Sequence, residues 1–161
     1  MPRTILAAFT LCGLLLLPIH PVSRAQNGTN GSPAGSWEFT ATPDPSTSAG
    51  AQFSGLATLT SDGSVIETDT SEPALRLTPG HGTWQTSPAA GRWFIRFTNL
   101  TANRNGSLRA KRILTLTMEL NSTGDQFSGG YSFEIADPSG QAITTGSGTM
   151  TGQLMVRPLL P

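Results

Sequence analysis

The sequence predicts an all-β fold, a single antiparallel up-and-down β-barrel of about eight strands. Three observations lead there. From Ser36 onward, short β-favouring runs alternate with turn signals. Within the runs, apolar residues recur at every second position. No segment keeps a helical period, and the 18 glycines and 12 prolines recur too often for helices of ordinary length.

The runs cover about 36–42, 52–60, 64–70, 80–87, 91–102, 107–120, 125–136 and 141–154. In the first, Trp37, Phe39 and Ala41 share a face; in the second, Phe53, Ala57 and Leu59 do so. "SDGS" at 61–64 holds an Asp-Gly pair, the strongest hairpin signal in the chain. The third run is led by Val65, with Glu67 and Asp69 in phase with it. In the fourth, "GHGTW" brings Trp84 to the apolar face, and in the fifth Trp93, Ile95 and Phe97 align. "NRNGS" at 103–107 turns the chain into the sixth run, where Leu108, Ala110, Leu114, Leu116, Met118 and Leu120 have one parity. Arg109, Lys111, Thr115, Thr117 and Glu119 have the other. "NSTGD" at 121–125 leads to Phe127, Tyr131, Phe133 and Ile135, and "DPSGQ" at 137–141 leads into the last run.

Short turns between consecutive runs make neighbours antiparallel. A flat sheet of eight such strands would leave its apolar face uncovered and two edges open; closure removes both problems. A two-sheet sandwich is the runner-up. The later runs would stretch roughly 40 Å if straight, so Gly129, Gly130, Gly146 and Gly148 are expected to mark bends or bulges.

The flanks read differently. Residues 1–25 combine Arg3, an apolar stretch from Ile5 to Leu17, and small residues at Ser23 and Ala25. This is the pattern of a secretory signal peptide cut after Ala25, which implies a secreted or periplasmic protein. Residues 26–35 form a polar, Gly-rich tail expected to be disordered, 36–157 the barrel, and 158–161 a C-terminal tail. Cleavage removes Cys12, the only cysteine, and with it thiolate metal sites, redox pairs and a cysteine nucleophile. It also removes Arg3 and Arg24, leaving eight basic residues against ten acidic ones, evenly spread. Such a chain has no basic stripe for nucleic acid and no polybasic patch for a membrane surface, and no membrane span is expected after the signal. Five N-x-S/T triplets occur, at Asn27, Asn30, Asn99, Asn105 and Asn121. They are glycan candidates only in a eukaryotic secretory pathway.

The Gly35-Ser36-Trp37 triplet at the start of the first strand resembles the G-x-W of lipocalin and avidin-like barrels, the calycins. The resemblance implies an eight-stranded barrel in which Trp37 closes one end, with an arginine after the last strand packed across it; Arg157 stands in that place. The fuller pattern, "TSDGSVIET", "GHGTW" and "DQFSGGYSFEIADPSG", is similar to small secreted bacterial barrels of unassigned function. Barrels of this shape also include the allene-oxide-cyclase-like group, so the resemblance implies either carriage or a shape-directed cyclisation.

Few residues suggest chemistry. His81 has the parity opposite to Trp84 and should face solvent, unless its flanking Gly80 and Gly82 form a bulge that turns it inward. Arg112 shares parity with Leu114 and Leu116, which aims a guanidinium into the barrel. There it must be paired, near a mouth, or facing the anionic head of an otherwise apolar ligand; Glu67 or Asp69 would supply a carboxylate. His81, Arg112 and Glu67 are therefore the weak catalytic candidates. Trp37, Phe39, Phe53, Trp84, Trp93, Phe97, Arg112, Leu114, Leu116, Phe127, Tyr131 and Phe133 are the candidate lumen lining, with the small residues Ala142, Thr144, Gly146 and Gly148 leaving room on one side. No metal site or cofactor is expected. The reading that follows is a secreted barrel that binds a small apolar or amphipathic molecule in its lumen. A barrel isomerase or cyclase that shapes its substrate, and a filled structural or interaction module, are the alternatives.

Overall fold

The computed structural model describes residues 32–47, 50–89 and 91–155. The signal segment, Asn27, Asn30, Arg157 and the C-terminal tail at 158–161 lie outside the described residues. Eight strands form one closed antiparallel barrel in chain order: β1 (Gly35–Pro43), β2 (Phe53–Leu59), β3 (Ser64–Asp69), β4 (Gly80–Thr86), β5 (Arg92–Ala102), β6 (Leu108–Leu120), β7 (Gln126–Ala136) and β8 (Ala142–Leu154). Closure is made by β1, which pairs with β2 through Trp37↔Ala57 and with β8 through Phe39↔Gly152.

The turns behave as their residues dictate. Gly63, Gly106, Gly124 and Gly140 all hold positive φ, between 74° and 92°, a conformation that costs a residue with a Cβ about 1 kcal/mol or more. Each closes a short connection by donating its N–H three residues back, as Gly63 does to the Thr60 carbonyl and Gly140 to that of Asp137.

The alternation places Trp37, Phe39, Ala41, Val65, Trp93, Ile95, Phe97, Leu114, Leu116, Met118, Phe127, Tyr131 and Met150 in the interior. Outward positions such as Glu38, Arg96, Glu119, Ser128 and Thr151 are exposed. Trp37 closes one end: it is 1% exposed, its Nε1 donates to the Pro33 carbonyl at 2.9 Å, and Phe127 meets it edge-on at 5.4 Å. On the facing wall Trp84 is half-buried, its Nε1 donating to the Thr60 carbonyl at 2.8 Å.

Of the bends or bulges expected at Gly129, Gly130, Gly146 and Gly148, the bulges are not there. All four lie in continuous register, opposite Met150, Thr149, Phe133 and Tyr131. The register shifts fall instead at Thr101/Ala102 and Ile135/Ala136. At Gly129 and Gly148 the missing side chain serves closeness rather than a bulge. A Cβ on Gly129 would lie 1.9 Å from the Thr117 carbonyl oxygen, and one on Gly148 would meet the Tyr131 ring at 2.7 Å. The room foreseen at Gly148 is therefore taken by a side chain of the neighbouring strand. Gly152 lies under Phe127 and Gly55 under Phe39 in the same manner.

The strands differ in length, and this shapes one mouth. β5 to β8 run 11 to 13 residues, whereas β2, β3 and β4 run six or seven. Above the low wall sits the β3–β4 connection, which contains a single-turn helix, α1 (Glu72–Leu75). Pro73 near its start has the fixed φ a first turn needs. Arg76 ends it with φ 55°, donating its N–H to the Glu72 carbonyl. The chain then climbs beside β5, with Thr78 N–H donating to the Leu100 carbonyl and Leu77 bridging Thr101.

Candidate ligand cup and buried charge cluster

Two layers fill the barrel. Toward the Trp37 end the interior is packed: an enclosed void of about 20 Å³ remains among Trp37, Ile95, Leu116, Met118 and their neighbours. Above it, the other mouth opens into a cup of about 410 Å³. The end of β1 supplies Pro43 to its wall, the start of β2 Phe53 and the connection between them Ala51, and the α1 connection supplies Thr70, Ser71, Ala74 and Leu75. Arg112 and Leu114 enter from β6, and Tyr131, Phe133 and Ile135 from β7. Phe53 packs edge-on against Tyr131 at 6.3 Å and against Phe39 at 6.4 Å, separating cup from core. Concavities of about 690 and 470 Å³ lie on the outer wall. They are lined largely by outward polar side chains, among them Glu38, Ser128 and Gln153 in one and Arg96, Thr115 and Glu134 in the other.

A polar cluster is buried between the layers. Arg112 is 6% exposed, and each of its three nitrogens has a partner. Nη2 donates to Asp69 Oδ2 at 2.6 Å, Nε to Asn99 Oδ1 at 3.0 Å, and Nη1 to Ser71 Oγ at 3.1 Å. Its guanidinium carbon also sits 5.9 Å from the centre of the Phe53 ring. Asn99, directly opposite Arg112 on the neighbouring strand, donates to Glu67 Oε2 at 3.1 Å and to the Thr78 carbonyl at 3.0 Å. Ser71 donates both its N–H, at 2.7 Å, and its hydroxyl to Asp69 Oδ1.

The "GHG" stretch explains how β3 and β5 share this cluster across β4. A Cβ on Gly80 would lie 2.6 Å from Glu67 Oε2, 2.7 Å from Phe97 Cδ2 and 3.0 Å from Asn99 Nδ2. Only glycine lets these side chains meet over the strand between them. Gly82 admits the β5 backbone in the same way, its absent Cβ falling 1.9 Å from the Arg96 carbonyl oxygen. The glycines do not turn His81 inward. It is exposed on the outer face, paired with Ile66 and Thr98.

One cation cannot hold two buried carboxylates charged. Burial, above all, pushes the Glu67 carboxyl up to about 8. The Asn99 hydrogen bond opposes this, the Asp69 charge adds to it, and the Arg112 charge, 3.9 Å away, only partly compensates. Burial also works against an ionised Asp69. There the Ser71 donors and the Arg112 guanidinium outweigh it and hold the carboxyl below its usual range. The two shifts run in opposite senses and favour a protonated Glu67 beside an Asp69–Arg112 ion pair, an arrangement with no net charge. Tyr131 is raised by burial, with Arg112's charge opposing the shift.

Of the three catalytic candidates, only Arg112 lines the cup. Glu67 borders the enclosed void, and His81 stands on the outer surface. Of the remaining lumen candidates, Phe53, Leu114, Tyr131 and Phe133 border the cup. Trp37, Phe39, Phe97, Leu116 and Phe127 line the packed half; Trp93 is buried and Trp84 packs against that core. Ala142 and Thr144 are exposed near the β7–β8 turn. Two residues that sequence reasoning passed over belong to the cluster: Ser71, in a connection with no strand signal, and Asn99, read there as a glycosylation triplet. Asn99 is 0% exposed, so a glycan on it would have to displace its bonds to Arg112 and Glu67. Among the described residues, no group of three His, Cys, Asp or Glu side chains is placed to hold a metal ion. No family model, curated protein or solved structure matches the chain.

Proposed function

We propose that this chain is an exported binding barrel that carries a small, largely apolar molecule in the cup at one mouth. The observation that carries the reading is the cup itself. It is a concavity of about 410 Å³ walled by Phe53, Leu75, Leu114, Phe133 and Ile135, with Gln52, Thr70, Ser71, Arg112 and Tyr131 as the polar groups among them. That size and mixture are those of small-molecule sites, which run from about 300 to 1,000 Å³ and are mostly apolar. The binding role is confined to the mouth, because the Trp37 half is packed. The resemblance of Gly35-Ser36-Trp37 to the calycin opening supports a carrier, as does the buried Trp37 that closes the far end. The signal-like residues 1–25 support export to a periplasm or the exterior. The outer face is mostly polar, with Leu56, Ile66, Phe94, Leu100 and Ile143 exposed singly among polar neighbours, and the interior is mostly apolar. This is the reverse of a lipid-facing barrel and supports a barrel working in water. An isomerase or cyclase would need converging acid–base groups in the cup. His81 and Glu67 stand elsewhere, which ranks carriage first.

The test is fluorescence titration of residues 26–161 with N-phenyl-naphthylamine, an uncharged apolar dye. Saturable binding is expected. Ala74→Trp, at the cup wall, should weaken it at least about tenfold without loss of stability. Binding unaffected by Ala74→Trp would place the dye elsewhere and remove the cup from the account.

A further inference from the structure

We propose that the cup selects neutral amphiphiles, molecules with an apolar body and one uncharged oxygen such as an alcohol or ketone, and discriminates against carboxylates. This rests on the cup being a ligand site. At first sight an arginine in an apolar cup suggests the opposite, an anionic head group. The geometry removes that option. Arg112 has committed its Nη2 to Asp69 at 2.6 Å, its Nε to Asn99 and its Nη1 to Ser71. Its charge is matched before any ligand arrives. A ligand carboxylate would be a further anion around one cation, desolvated among Phe53, Leu114 and Phe133 and close to Asp69.

Glu67 is a second carboxylate 3.9 Å from the same guanidinium, and burial beside Asp69 raises its carboxyl despite that cation. A carboxylate entering from the cup meets the same balance. What the cup lacks is a partner for an uncharged group. The Tyr131 hydroxyl is buried and has no hydrogen-bond partner among the described residues, an arrangement that ordinarily costs about 1–3 kcal/mol. Tyr131 borders the cup, so a side-chain rotation that brings the hydroxyl to a ligand oxygen relieves it without bringing charge.

The test uses decanol and decanoate, matched in chain, as competitors of the naphthylamine dye at pH 7.5. Any apolar cup prefers the alcohol, so the decisive quantity is how the decanol-to-decanoate ratio changes on mutation. In the double variant Asp69→Asn/Glu67→Gln, Arg112 keeps its place with amide partners and its charge is unmatched. The ratio should move toward decanoate at least about tenfold. Tyr131→Phe, which leaves the cluster whole, should weaken decanol several-fold more than it weakens the dye. An unchanged ratio in the double variant overturns the inference while the cup stands. So does decanoate binding as tightly as decanol to the unmodified chain. Should the double variant not fold, Tyr131→Phe decides, and equal decanol affinity there counts against the inference. Failure of dye and both competitors to bind overturns the cup and the inference together.

Discussion

Glu67→Gln should make the protein more stable at neutral and alkaline pH, although it replaces a wholly buried residue. The reason lies in where the proton sits. The Glu67 carboxyl is raised from 4.5 to about 8 in the folded barrel. Between those values the folded state holds a proton that the unfolded chain has released, so stability falls as pH rises. Glu67 imposes no penalty below pH 4.5, and the loss grows at about 1.4 kcal/mol per pH unit until it levels off above about pH 8. The whole span amounts to on the order of 5 kcal/mol, a large share of the roughly 5–15 kcal/mol of a typical domain. The substituted amide keeps an oxygen to accept from Asn99 Nδ2 and cannot ionise. Urea unfolding from pH 5 to pH 9 reads the effect directly. The Glu67→Gln variant should gain over the unmodified chain steadily toward pH 8, with little difference at pH 5. Parallel profiles, or a variant less stable than its parent at pH 8, would show that Glu67 is charged in the fold and that the neutral cluster is wrongly described.

Asp69 titrates in the opposite sense. Its lowered carboxyl contributes stability above its ordinary value of 3.8 that is lost as pH falls through its folded value, and Asp69→Asn should abolish that acid-side loss in the same titration. Gly80→Ala should cost roughly 1–3 kcal/mol in urea unfolding, because its Cβ meets Glu67, Phe97 and Asn99 at 2.6 to 3.0 Å. His81→Ala beside it, on the outer face, should stay within about 0.5 kcal/mol of the parent. Trp37→Ala should lose about 3–5 kcal/mol by emptying the closed end and orphaning the Pro33 carbonyl.

Strand positions were legible because a half-buried strand writes its face into every second residue, and because positive-φ turns leave glycine a mark at 63, 106, 124 and 140. The inward parity of Arg112, with Asp69 as a carboxylate partner, could be read from the same period. What the pattern did not carry is distance between strands. Gly148 looked like open space, yet Tyr131 on the adjacent strand covers it. Gly80 looked like a possible bulge, yet it is the gap across which Glu67 reaches Asn99. Asn99 reads as polar in a strand, and nothing local says that its amide bridges two ionisable side chains. The α1 connection is too short to show a period, so the cup wall formed by Ser71, Ala74 and Leu75 left no periodic signal in the sequence.

The central claim is a barrel whose one half binds and whose other half is solid. It is tested most directly by side-chain methyl NMR of residues 26–161 during titration with decanol. The methyl signals of Ala51, Ala74, Leu75, Leu114 and Ile135, around the cup, should shift together and saturate, while those of Leu59, Val65, Ile95 and Met118 stay in place. Shifts centred on the second set, or on neither, would contradict the account.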